Sequence, residues 1–67
     1  MRDFDVPRSV IEHLIDEWVF SERDRAIMKR RLLDGLTYEE LSGEFYLSPQ
    51  RVKTIVKKEK CRIFRHL

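Results

Sequence analysis

Leu41-Ser42-Gly43-Glu44-Phe45-Tyr46-Leu47-Ser48-Pro49-Gln50-Arg51-Val52-Lys53-Thr54-Ile55 is the stretch on which the fold turns. It reads as a short helix, a sharp turn and a second helix. Leu41, Phe45 and Leu47 precede the second helix, and Val52 and Ile55 lie inside it. These five side chains meet only if the two helices cross steeply over a shared core, which is the helix-turn-helix arrangement. The second helix has a strong start. Ser48 suits the N-cap, and Pro49 suits the first helical position, where its missing N–H costs nothing.

The same helix declares its outward side. At about 100° per residue, Val52, Ile55, Val56 and Ile63 fall on one stripe. Gln50, Lys53, Thr54 and Lys57 lie on or near the opposite stripe, with Cys61 one turn further along. Gln and Lys can reach base edges in a major groove, and Lys also reaches phosphates. A polar stripe alone fits any solvated helix; joined to the turn spacing, it points to DNA.

Size and composition set the limits. A chain of 67 residues is one small domain, spanning 1–67, with residues 1–8 as a lead-in. No apolar run approaches a membrane span, and the start lacks the apolar core of a signal peptide. The single cysteine cannot form an internal disulfide, which fits a reducing compartment. The expected location is therefore cytoplasmic, at the nucleoid. Net charge is only +2, but its distribution is uneven. Residues 48–67 carry seven Lys and Arg against Glu59 alone, while residues 1–20 carry five acidic groups against two arginines. A positive last helix is the footprint of a nucleic-acid reader, although an acidic protein partner would suit it too.

The rest of the chain supplies helices to cover the core. A first helix starts near Pro7 or Ser9. Ser9 with Glu12 fits a capping box, Pro7 fits a first turn, and the residues do not choose between them. Val10, Ile11, Leu14, Ile15 and Trp18 form its apolar half, with Trp18 assigned to the core. Ser21 caps a second helix that runs to about Asp34, and Gly35 follows as a left-handed C′ residue. Lys29-Arg30-Arg31 reads as a solvated basic face. Thr37 with Glu40 makes a capping box for a third helix, whose N-terminus at Thr37 and Tyr38 suits an anion. The last helix runs from Pro49 to about Arg65. Its end either frays or packs back on the first helix; left exposed, it would be an apolar handle for self-association. The expectation is an all-α, four-helix domain.

At this point the chain resembles region 4 of bacterial sigma-70-type factors, over residues from about 9 to 65. Glu22-Arg23-Asp24-Arg25, Gly35-Leu36-Thr37-Tyr38-Glu39-Glu40-Leu41 and Leu47 to Ile55 carry the resemblance. It is also similar to small stand-alone region-4-like proteins of phages and prophages of Firmicutes. The resemblance implies a last helix in the major groove. Carried onto this sequence, Gln50, Lys53 and Thr54 face bases. Arg51 and Lys57 flank them, with Thr37 and Tyr38 near phosphates; on the leading reading of the basic last helix, Arg51, Lys57, Lys58 and Arg62 hold phosphates. It implies double-stranded DNA as partner and RNA polymerase as a second one. One reading helix covers few base pairs, so useful affinity calls for a homodimer or a second DNA-bound partner.

Four departures stand out. The part that binds the polymerase clamp and melts promoter DNA has no counterpart in these residues, so this stretch by itself is not a complete sigma factor. Tyr46 occupies a turn position usually held by Gly or Asn, which predicts a reshaped turn. Gly43 sits inside a helix. Arg30 and Glu59 replace apolar residues, and Glu59 falls in the middle of the buried stripe, which predicts an ion pair from Arg30 or Arg31 to Glu59. No catalytic constellation, zinc spacing, cofactor loop or metal site is legible. Two other readings remain open: a module that docks on RNA polymerase or an anti-sigma-like partner, and a DNA-packaging or recombination accessory.

Overall fold

The computed structural model describes residues 7–66. Four helices follow in order: α1 (Arg8–Trp18), α2 (Glu22–Leu32), α3 (Tyr38–Phe45) and α4 (Pro49–Phe64). No strand occurs among the described residues. The all-α, four-helix expectation therefore holds. The lead-in is shorter than residues 1–8, because Arg8 already lies in α1; residues 1–6 lie outside the described residues.

Three of the four helices begin where a side chain offers a partner for the free N–H groups of the first turn. Ser21 Oγ accepts from the Asp24 N–H at 3.4 Å, and Ser48 Oγ accepts from the Arg51 N–H at 3.1 Å. Thr37 and Glu40 close a full capping box, with bonds of 3.1 and 2.8 Å. At α1 no side chain caps, and the N-cap, not the first turn, falls to Pro7. Its extended backbone sits at the N-cap, and its carbonyl accepts from the N–H groups of Val10 and Ile11. Ser9 is inside the helix, so its capping-box reading is not used. At the end of α2, Gly35 is left-handed at φ 75°, as expected, and the Leu36 N–H donates to the Arg30 carbonyl at 3.2 Å.

The turn between α3 and α4 is not reshaped. Tyr46 itself takes the left-handed conformation, at φ 58° and ψ 39°. The Leu47 N–H then donates to the Ser42 carbonyl at 3.1 Å, which closes α3 as a Schellman-type end. The Tyr side chain is 93% exposed, so no packing opposes the backbone cost of roughly 1 kcal/mol. Geometry that the crossing of α3 and α4 demands prevails over the preference of one residue.

The core draws on all four helices. Ile15 and Val19 from α1 and its end, Ile27 and Met28 from α2, Leu41 from α3, and Val52, Val56 and Ile63 from α4 are fully buried. α4 packs against each of the other three helices. Trp18 is half-buried against this core and stacks on His66, with ring centroids 3.7 Å apart and planes 5° apart. The chain end after α4 thus packs back on the first helix.

Long charged side chains pair across the helix surfaces. Asp16 meets Lys29 at 2.8 Å, and that hydrogen bond holds the Asp16 carboxyl below its ordinary pKa. Arg30 bridges Asp34 and Glu44, each at 3.1 Å. The hydrogen bonds that Arg30 donates to the Glu44 carboxylate raise its pKa above the ordinary value. The expected ion pair from α2 to Glu59 is therefore not formed. Arg30 lies toward α3, and Arg31 donates to the Leu36 carbonyl at 2.7 Å and covers the Tyr38 ring at 4.5 Å. Glu59 is 3% exposed, as the wheel predicts, but its nearest cation is Arg62, at 3.6 Å. Its Oε1 has no hydrogen-bond partner among the described residues.

A buried carboxylate with one loose partner costs more than an apolar side chain of similar volume. Glu59→Met is expected to raise the unfolding free energy by about 1–3 kcal/mol in urea titrations. A loss of stability would show that the carboxylate has a partner that compensates it. Gly43 is exposed, and a Cβ built there meets nothing within 4 Å. Gly43→Ala is expected to add about 1 kcal/mol in the same titration, through the lower helix propensity of glycine.

Candidate nucleic-acid interface

The inward side of α4 fixes what its outward side displays. Val52, Ile55, Val56, Glu59 and Ile63 are buried, so the rotation of the helix about its axis is set. Gln50, Lys53, Thr54 and Lys57 are all exposed on the opposite side, and Arg51 and Lys58 are exposed on one flank. The side chains of Gln50, Arg51, Lys53, Lys57 and Lys58 make no hydrogen bond or ion pair with any described residue. They are donors without a structural task. Thr54 differs, because its hydroxyl donates to the Gln50 carbonyl at 3.0 Å.

The remaining expected contacts are placed less simply. Thr37 is exposed at the N-terminus of α3, with its hydroxyl accepting the Glu40 N–H. Tyr38 is half-buried beneath the Arg31 guanidinium. Arg31 thus puts a cation beside the α3 N-terminus, a feature that spacing could not reveal because it depends on a tertiary approach. Arg62 is not gathered with the outward stripe. It lies 5.6 Å over the Phe20 ring and faces Glu59.

Electrostatics separate the two basic regions. On α2, Lys29 and Arg30 are balanced by Asp16, Asp34 and Glu44. On α4, Lys53, Lys57 and Lys58 have no such partner among the described residues. Free positive charge is thereby concentrated on the helix whose polar face is exposed. No group of three or more His, Cys, Asp or Glu that could hold a metal occurs among the described residues. None of the helices described is long and apolar enough to cross a membrane.

A capped four-helix domain with a left-handed turn before an exposed, basic last helix is a helix-turn-helix domain. The family model for sigma-70, region 4 matches residues 19–58, and the chain belongs to that family of helix-turn-helix DNA-binding domains. The match covers α2, α3, the turn and most of α4. No curated protein and no solved structure matches the chain significantly.

Each lysine that neutralises a phosphate releases counterion, which sets the salt dependence of binding. Lys57→Ala is expected to weaken binding evenly across duplex sequences and to lower the slope of log affinity against log salt by about one. An unchanged slope in fluorescence-anisotropy titrations would remove Lys57 from the phosphate contacts.

Proposed function

We propose that this chain is a sequence-specific binder of double-stranded DNA that regulates transcription, and that α4 is its reading helix. Gln50, Lys53 and Thr54 face base edges in the major groove. Arg51, Lys57 and Lys58 hold the flanking phosphates, with Thr37 and Tyr38 approaching the backbone from the α3 N-terminus. Arg62 is left out of this set because Phe20 and Glu59 already occupy it. The observation that carries the reading is the exposed, unpaired Gln50–Lys53–Lys57 face on a helix whose rotation is fixed from within. An origin in a phage or mobile element is part of the same proposal. A footprint of one helix is small, so full affinity uses a second copy or a DNA-bound partner.

A second reading is docking on RNA polymerase, a partner that membership in the family suggests. Phe20 is 69% exposed, with only the Arg62 guanidinium over its ring, and Val10 is 39% exposed, which leaves apolar surface on the α1–α2 segment. In that reading Phe20 matters more than Lys53.

Selection from a pool of random duplexes at about 0.15 M salt, the physiological ionic strength, separates the two. The native chain is expected to enrich one motif, and Gln50→Ala with Lys53→Ala is expected to lose that enrichment. Weak binding without a motif for both proteins would refute base reading by α4 and favour the polymerase surface.

A further inference from the structure

Thr54 stands between Gln50 and Lys57 on the outward stripe, and its chemistry there is restricted. A free threonine hydroxyl both donates and accepts, so it reads several base edges equally well. In this chain its only proton is committed to the Gln50 carbonyl one turn back, at 3.0 Å. Such a bond to the carbonyl four residues earlier is intrinsic to the helix and needs no partner from another element. The exposed remainder of the side chain is the γ-methyl group and the lone pairs of the oxygen.

We infer that Thr54 reads thymine, through contact between its γ-methyl and the thymine C5-methyl in the major groove. This inference rests on the proposed reading of DNA by α4 and names what one position of that site selects. Three observations converge on it. Thr54 is exposed, so the methyl is available. The hydroxyl proton is in use, so donation to guanine O6 or N7 or to the adenine N7 would break an existing bond. The adjacent Gln50 and Lys53 have free donors, so hydrogen-bond readout at neighbouring positions is already supplied. Of the four bases, only thymine offers a methyl group in the major groove. Thr54 is then a specificity-determining residue that works by apolar contact beside two that work by hydrogen bonds.

Deoxyuridine differs from thymidine only by that methyl, so it isolates the contact. The probe is the best duplex recovered from the random pool, with each thymidine replaced in turn by deoxyuridine. One position is expected to lose about fourfold in affinity, the ~0.8 kcal/mol of a buried methyl group. Thr54→Val keeps the methyl without the hydroxyl and is expected to keep the deoxyuridine penalty. Thr54→Ser keeps the hydroxyl without the methyl and is expected to bind about fourfold more weakly and to be blind to the replacement. Circular dichroism of each variant checks that α4 remains helical. A tightly bound duplex with no deoxyuridine-sensitive position, or full activity of Thr54→Ser with loss in Thr54→Val, overturns the inference while leaving DNA reading intact. Failure of the native chain to enrich any duplex overturns the reading on which it rests.

Discussion

The burial of one stripe of α4 governs the rest of the molecule. Val52, Ile55, Val56 and Ile63 contact a core built by the three other helices, and this contact fixes how far α4 is turned about its axis. A rotation of one residue, about 100°, would carry Lys53 toward the core and an isoleucine toward solvent. The cost of several exposed aliphatic side chains, each worth roughly 1.5–3 kcal/mol, holds the helix in place. Display of Gln50, Lys53 and Lys57 is therefore a consequence of packing, not of any interaction among those residues. A base-reading face benefits from this arrangement, because its donors arrive pre-oriented and unspent.

The turn before α4 serves the same end at a local cost. Tyr46 adopts a left-handed backbone that glycine would adopt freely, and its exposed ring regains nothing by packing. The fold tolerates this because the cap at Ser48 and the closure from Leu47 to Ser42 fix both sides of the turn. Glu59 is a second local cost, a buried carboxylate whose one neighbouring cation is held partly over Phe20. Both features sit on the elements that position α4.

Much of this architecture was legible in the residues. Ser21, Thr37 and Ser48 cap as their chemistry dictates, Gly35 turns left-handed beyond α2 (which stops at Leu32, short of the expected Asp34), and the apolar spacing of α4 picks out the buried stripe, Glu59 included. These are local properties, decided within one helical turn. The pairing of long side chains was not legible. Arg30 reaches Glu44 and Asp34 instead of Glu59, because which residues approach is set by how α2 crosses α3 and α4. The same limit applies to Arg31 over Tyr38 and to the stacking of Trp18 on His66. Within the candidate site, the exposed stripe followed from periodicity. The removal of Arg62 from it and the internal bond of Thr54 needed coordinates.

The most direct test of α4 as the reading helix is a backbone amide NMR titration of the chain with its enriched duplex. The account predicts the largest shifts over Gln50 to Lys58 and at Thr37 and Tyr38, with the amides of α1 nearly unmoved. Shifts concentrated around Val10 and Phe20, with α4 unaffected, would contradict it.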